Sequence, residues 1–220
     1  MLRVQEDAGH GSNLERVEEA PEDQALLQNR SGEGKAAEGV SGGGRGLIRI
    51  IQDEPALLVR RGGERVLVVA DIHLGIEGEL AGSGISLPSQ TPKIRRRLVG
   101  LVERSGADRL ILLGDVKHGI PAASWQEWRE IPRLLEELVR MVRVEIVPGN
   151  HDGDIEGMVP KGVVLHGARG VAIGRTAGLW HGHAWPSPEV AGCRVMVMGH
   201  NHPAVEIRDR YGGRVVEPVW

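Results

Sequence analysis

The segment RVLVVADIH, residues 65–73, contains an apolar run that ends in an aspartate and a histidine. Residues 65–70 show no alternation of polar and apolar positions, which is typical of a strand buried on both faces of a sheet. Strands of this kind are usually parallel and covered by helices. The segment therefore predicts a central strand whose carboxyl end presents Asp71 and His73 at one edge of the sheet.

Four more polar clusters follow apolar, largely β-branched runs in the same way. They are Gly114-Asp115 with His118, residues 149–152 (GNHD), residues 181–183 (HGH) and residues 199–202 (GHNH). Seven of the nine histidines in the chain lie inside these clusters or the first one. Imidazole nitrogens and carboxylate oxygens are the usual ligands of divalent transition metals. Their number is too large for one ion and suits a pair of ions.

In this order, the clusters resemble the motifs of the calcineurin-like metallophosphoesterase superfamily, which are D-x-H, G-D-x-x-(D/H), G-N-H-(D/E), an isolated histidine and G-H-x-H. Residues 71–75, 84–88 and 114–118 are most similar to the compact archaeal phosphoesterases related to SbcD and to bacterial ligase-associated endonucleases. The resemblance implies an α/β fold, namely a four-layer α-β-β-α sandwich in which helices flank two mixed sheets.

The resemblance also implies a site for two divalent metal ions, with Asp115 as the carboxylate that bridges them. The other ligands of the first ion would be Asp71, His73 and His202. Those of the second ion would be Asn150, His181 and His200. This mixed ligand set suits Mn²⁺, with Fe²⁺, Zn²⁺, Ni²⁺ and Co²⁺ as alternatives. A hydroxide between the two ions would attack the phosphorus of a phosphodiester.

Two residues next to a ligand position are candidate catalytic groups. His151 directly follows Asn150, so it lies near the metals without having to bind one, and it is the candidate general acid. A charged neighbour keeps an imidazole protonated and oriented. Asp152 is the candidate for that neighbour, with a position on the loop surface as its alternative.

Two further histidines have open roles. His183 can replace His181 as a ligand, because both lie on the same side if the strand continues through them. The resemblance favours His181. His118 stands where relatives carry aspartate or histidine, and it either supports the site or hydrogen-bonds to the backbone of its loop.

Basic and aromatic side chains do not decide whether the substrate is a nucleic acid. The residues Lys93, Arg95, Arg96 and Arg97 form one basic cluster, which is either a solvated helix face or a contact for a phosphate backbone. Tryptophans at positions 125, 128, 180 and 185 can stack on nucleobases. The favoured expectation is that Trp125 and Trp128 pack a helix onto a sheet, while Trp180 and Trp185 frame the loop of His181.

The remaining pattern divides the chain into a tail and one domain. Residues 1–45 are rich in Gly, Glu, Ser and Ala, carry nine acidic and five basic residues, and predict a disordered tail. Residues 46–220 are the predicted metallophosphoesterase domain, with 21 acidic and 22 basic residues. The chain ends on strand-like residues, so a final strand of a sheet is expected to be missing.

Helices and strands alternate in the first half of this domain, and strands dominate the second half. Residues 75–90 are predicted to be a Gly-rich loop. One helix is expected from Thr91 to about Arg104, and another is expected to be capped by Ser124 and split or kinked at Pro132. The last two strands are expected to form a hairpin closed by Gly212-Gly213.

Composition excludes several classes of protein. A single cysteine, Cys193, rules out an intrachain disulfide framework. No apolar run approaches the ~20 residues needed to cross a bilayer, and no signal peptide is visible. We therefore expect a cytoplasmic protein that does not bind membranes.

The expected function is a metal-dependent phosphoric ester hydrolase. Its expected substrate is a phosphodiester, such as a nucleotide or a single-stranded nucleic acid. The alternatives are a phosphomonoesterase or nucleotide pyrophosphatase on the same metals, and a non-catalytic protein-binding scaffold. The presence of every expected ligand type argues against the scaffold.

Overall fold

The computed structural model describes residues 47–219. The predicted disordered tail, residues 1–45, lies outside these residues, as would a strand beyond residue 219. A six-stranded sheet with the order β1-β2-β3-β4-β5-β6 organises the described chain. Its strands are β1 Leu47–Ile50, β2 Ala56–Arg61, β3 Glu64–Val69, β4 Arg109–Leu113, β5 Arg143–Val147 and β6 Val164–Leu165.

The first three strands of this sheet are antiparallel, and β3 to β6 are parallel. In the centre, Val66 pairs with Arg109 and Val69 pairs with Leu112, so β3 and β4 end together. Since parallel strands end at one edge, the segments after β3, β4 and β5 meet there. This arrangement confirms the predicted central strand.

Two long helices, α2 Thr91–Ser105 and α3 Trp125–Val139, cover one face of this sheet through a common apolar core. Ser124 caps α3, as predicted, and forms a capping box with Glu127. The helix runs unbroken through Pro132, so of the predicted split or kink the split is wrong. Ile131, Leu134, Leu135 and Leu138 of α3 are buried in the core, which stabilises the helix against the loss of one backbone hydrogen bond.

A three-stranded sheet packs on the other face of the first sheet. Its strands are β7 Val171–Ile173, β8 Ala177–Trp180 and β9 Val195–Met198, in the order β7-β8-β9. Ala177 and Leu179 point into the core between the sheets. Between them, Gly178 points outward to the short helix α4 Pro188–Ala191, where an added Cβ would meet Val190. The four layers confirm the predicted α-β-β-α sandwich.

Two further elements complete the described chain. The strands β10 Ala204–Arg208 and β11 Arg214–Pro218 form an antiparallel hairpin whose turn contains Gly212 and Gly213, as predicted. Residues 75–90 are not all loop, because a helix, α1 Ile76–Gly82, lies within them. None of the helices within residues 47–219 has the length and apolar character that a membrane crossing requires.

Candidate metal centre

Backbone hydrogen bonds join the first two polar clusters beyond the ends of their strands. The N–H of Asp71 donates to the carbonyl of Gly114 (3.1 Å), and the N–H of His73 donates to that of Asp115 (2.9 Å). These bonds continue the pairing of β3 with β4 into the following loops. The side chains of both clusters are therefore held at the same edge of the sheet.

Backbone strain is concentrated in the polar clusters. Six non-glycine residues in the described chain have positive φ angles, and five of these are candidate metal ligands. The five are Asp71 (53°), His73 (42°), Asp115 (48°), His200 (70°) and His202 (42°). This left-handed conformation costs roughly 1–3 kcal/mol for each residue and is kept mainly where function requires it. The strain supports a shared functional site.

The first ligand group consists of Asp71, His73 and His202. One ligand atom from each residue lies within 4.8 Å of the others. Nε2 of His202 is 3.7 Å from Oδ1 of Asp71. The carboxylate of Asp71 also accepts a hydrogen bond from the backbone N–H of His200, at 3.1 Å, which connects this group with the second one.

The second ligand group consists of Asp115, His181 and His200, again with ligand atoms within 4.8 Å of one another. The fully buried His181 has its Nε2 3.3 Å from Oδ2 of Asp115 and 3.1 Å from Oδ1 of Asn150. His183 is exposed, and its ring lies 5.3 Å from that of His181. The geometry therefore favours His181 over His183 as the ligand.

Asp115, a member of the second group, also faces His73 of the first group. Its Oδ2 is 3.3 Å from Nε2 of His181 and 3.8 Å from Nε2 of His73. The same oxygen is 3.9 Å from Nε2 of His151. One carboxylate therefore faces imidazoles from three clusters, as a bridging ligand would.

Three glycines make this close approach possible. An added Cβ at Gly114 would collide with the ring of His181, and one at Gly149 would collide with the carboxylate of Asp115. At Gly199, it would approach Asp71. The glycine that opens each of these motifs thus leaves space for a candidate ligand.

The pKa values show which groups carry charge. Burial raises the pKa of Asp71. Burial also acts to raise the pKa of Asp115, but hydrogen bonds from His181 and from the backbone N–H of His151 outweigh it and lower that pKa to about 2. Burial lowers the pKa of His73 to about 4. Asp115 is therefore an anion and His73 a neutral imidazole near pH 7.

His181 is different, because its two ring nitrogens both face oxygen atoms. Burial acts to lower its pKa, but the hydrogen bond to Asp115 outweighs burial and raises it. Nδ1 lies 3.2 Å from the carbonyl oxygen of Leu113, which can only accept a hydrogen bond. In the neutral ring, Nδ1 therefore carries the hydrogen, and Nε2 is the nitrogen left bare for a cation.

The candidate catalytic residues His151 and Asp152 have separate partners. Nδ1 of His151 lies 2.5 Å from the carbonyl oxygen of His118. The carboxylate of Asp152 accepts hydrogen bonds from the backbone N–H groups of Gly149 (2.8 Å), Val116 (3.0 Å) and Lys117 (3.1 Å). Asp152 therefore ties the loops after β4 and β5 together. Its alternative position on the loop surface is wrong, since only 3 % of it is exposed.

Sequence reasoning missed two glutamates that surround His118. Glu127 accepts hydrogen bonds from the backbone N–H groups of His118 (2.8 Å) and Gly119 (2.7 Å). Glu79, in α1, is hydrogen-bonded to Nε2 of His118. The capping-box spacing from Ser124 could have revealed that the side chain of Glu127 turns back to the start of α3. No such signal exists for Glu79, because α1 has no side-chain cap.

Side chains at the surface differ in part from the predictions. Arg95 pairs with Glu137 and Arg97 pairs with Glu54, both at 2.5 Å, which favours the solvated helix face for the basic cluster. Trp125 is 80 % exposed, so the expectation that it packs α3 onto the sheet is wrong. Trp185, on the loop that follows His181, is 88 % exposed.

Comparisons with known proteins add a family and two structures. A family model described as calcineurin-like phosphoesterase matches residues 64–217. A nuclease, MPE of Pseudomonas putida, is 21 % identical, with a TM-score of 0.49 over 77 % of this chain and 79 % of that one. Yfce, a phosphoesterase from E. coli, is 22 % identical, with a TM-score of 0.36 over 56 % of this chain and 62 % of that one. No curated protein matches the sequence.

Proposed function

Because this chain belongs to the calcineurin-like phosphoesterase family, we propose that it hydrolyses phosphodiesters with two divalent cations. The observation that carries the proposal is the position of Asp115. Its carboxylate lies between one group of ligand atoms from Asp71, His73 and His202 and another from His181 and His200. A single ion would need only one of these groups.

The donor set fits two such cations. Carboxylate and imidazole are the ligands that Mn²⁺, Fe²⁺ and Zn²⁺ share, and histidine binds only as the neutral imidazole. An anionic Asp115 and a neutral His73 meet these requirements. Glycines at the adjacent positions leave room for the ligands to approach one another. We propose Asp71, His73 and His202 for the first cation, Asn150, His181 and His200 for the second, and Asp115 for both.

The chain would contribute to the reaction by charge and by proton transfer. When bound, the cations would lower the pKa of a water molecule and offset the charge that builds up on the phosphate oxygens. Asn150 offers a neutral oxygen, which limits the negative charge facing an anionic substrate. Because the carbonyl of His118 can only accept, Nδ1 of His151 carries a hydrogen, and Nε2 is the atom that faces the site. His151 would donate a proton from Nε2 to the leaving oxygen.

The experiment is a hydrolysis screen of the full chain with Mn²⁺, Fe²⁺, Zn²⁺, Ni²⁺ or Co²⁺. It compares bis(nitrophenyl) phosphate, nitrophenyl phosphate, cyclic nucleotides, and single- and double-stranded DNA. We expect the diester to be cleaved faster than the monoester, and the variant Asp115→Asn to be inactive on both. Faster cleavage of the monoester would favour a phosphomonoesterase. No activity with any metal would favour the protein-binding scaffold.

A further inference from the structure

His118 connects a candidate metal ligand with a carboxylate at the protein surface. Its Nδ1 lies 3.2 Å from Nδ1 of His73, and its Nε2 is hydrogen-bonded to Oε2 of Glu79. The rings of His73 and His118 meet edge to face, with their centroids 5.1 Å apart. The side chain of Glu79 is 73 % exposed, yet it turns toward this ring.

If His118 and His73 are neutral, these contacts determine which ring nitrogen of each histidine carries the hydrogen. An ionised carboxylate only accepts hydrogen bonds, so Nε2 of His118 carries a hydrogen and its Nδ1 is bare. A hydrogen bond between the two Nδ1 atoms then requires the hydrogen on His73. Nε2 of His73 is left bare, and this is the atom that faces Oδ2 of Asp115 at 3.8 Å.

We propose that Glu79 is a positioning residue that acts through His118 to hold His73 in the tautomer whose Nε2 is free to bind a cation. The inference rests on the proposed function, because it takes His73 to be a metal ligand. Histidines that bind metals usually donate their second nitrogen to a carboxylate or a carbonyl. Here a second imidazole lies between the ligand and the carboxylate.

A rival interpretation of the same residues is a third cation site. One ring nitrogen from each of His73, His118 and His151 lies within 4.8 Å of the others. A cation among them would need one bare nitrogen from each ring. Nδ1 of His151 faces the carbonyl of His118 and Nε2 of His118 faces Glu79, which leaves Nε2 of His151 and Nδ1 of His118 as the nitrogens that such a cation would use. Nδ1 of His118, however, lies 3.2 Å from Nδ1 of His73, which is the length of a hydrogen bond, and a nitrogen that accepts this bond is not free for a cation. This contact favours the positioning role.

The test uses the full chain as wild type and as the variants Glu79→Ala, Glu79→Gln and Glu103→Ala. Glu103 is an exposed glutamate on α2 and serves as the matched control for the loss of one carboxylate. Alanine favours helices, so α1 should persist in Glu79→Ala. The first measurement is the ¹⁵N shift of the His73 ring without metal, which identifies its tautomer. The second is a Co²⁺ titration followed by absorption.

We expect wild-type His73 to carry its hydrogen on Nδ1 and Glu79→Ala to show a mixture of tautomers. The affinity for one of two Co²⁺ ions should fall roughly tenfold or more in Glu79→Ala. Glu79→Gln should lose less Co²⁺ affinity than Glu79→Ala, because its amide oxygen accepts a hydrogen bond. Glu103→Ala should match wild type.

Three results would overturn the positioning role. They are a hydrogen on Nε2 of wild-type His73, an unchanged tautomer and Co²⁺ affinity in Glu79→Ala, and a third bound Co²⁺ that disappears in His118→Ala. A chain that binds two Co²⁺ ions but hydrolyses nothing would contradict the proposed function alone. A wild-type chain that binds no Co²⁺ would contradict both.

Discussion

Nδ1 of His151 lies 2.5 Å from the carbonyl oxygen of His118, and this contact aims Nε2 of His151 at the candidate metal centre. The backbone around that carbonyl is held by Glu127, which accepts the N–H groups of His118 and Gly119. A buried carboxylate thus supports the loop that orients the candidate general acid. The orientation does not depend on Asp152, whose carboxylate is bound to backbone N–H groups of two loops.

The first prediction concerns His151→Gln. Glutamine can still donate to the carbonyl of His118 but cannot act as a general acid, so the variant should keep its metal content and lose turnover. A positioned general acid contributes about 10²–10⁴-fold to the rate. The loss should approach that range for an alkyl diester and be much smaller for a nitrophenyl diester, whose leaving group needs little protonation. Equal losses on both substrates, or none, would contradict the role of His151.

The second prediction compares two glycines of the same loop. In Gly149→Ala, the new Cβ would collide with the carboxylate and the backbone nitrogen of Asp115, whereas a Cβ at Gly153 meets nothing within 4 Å. Gly149→Ala should therefore weaken Mn²⁺ binding at both positions and lower the free energy of unfolding by about 1–3 kcal/mol. Gly153→Ala should bind Mn²⁺ like wild type. Calorimetric titration with Mn²⁺ would measure the affinity of each variant. Equal Mn²⁺ affinities in the two variants would show that Asp115 tolerates displacement.

The ends of the central strands were predictable because apolar runs and polar clusters are both local in sequence. Asp71 and His73 follow β3, and Asp115 follows β4, so their convergence required only the expectation of parallel pairing. The helix cap at Ser124 was predictable for the same reason. These features depend on neighbours a few residues apart.

Features that depend on distant partners were not predictable. Asp152 is adjacent to His151 in sequence, yet its carboxylate lies within reach of amides from the loop after β4. Glu79 lies in a segment whose glycines indicate a loop, and its partner His118 is 39 residues away. Pro132 indicates a break in α3, but the buried face of the helix overrides that local preference.

The third prediction tests whether the substrate is a nucleic acid. Trp185 is 88 % exposed on the loop that follows His181, a position from which it can stack on a base. Base stacking contributes about 1–3 kcal/mol per base, so Trp185→Ala should raise the KM for a single-stranded oligonucleotide about tenfold. The KM for bis(nitrophenyl) phosphate, which lacks a base, should change little.

The control for this experiment is Tyr211→Ala, which removes an aromatic side chain that is 81 % exposed at the turn between β10 and β11. That variant should leave both KM values unchanged. If Trp185→Ala affects neither substrate, the loop after His181 does not contact the bases of a nucleic acid, and a small diester becomes the better substrate.

The fourth prediction concerns stability at low pH and rests on Glu145, a fully buried residue of β5. Arg109 contacts both of its carboxylate oxygens at 2.8 Å, and Nε2 of His166 contacts one of them at 2.8 Å. Burial acts to raise the pKa of Glu145, but hydrogen bonds from His166 and Arg109 outweigh it and lower the pKa to about 2 from an ordinary value of 4.5.

Because the folded pKa lies below the unfolded one, Glu145 stabilises the fold above pH 4.5, and this contribution disappears as the pH falls through about 2. The difference in pKa corresponds to about 3 kcal/mol at neutral pH. Glu145→Gln should therefore lower the free energy of unfolding by about that amount at pH 7. Urea denaturation between pH 7 and pH 3 should show this difference shrinking as the pH falls. A difference that stays constant with pH would mean that packing, not charge, accounts for the loss.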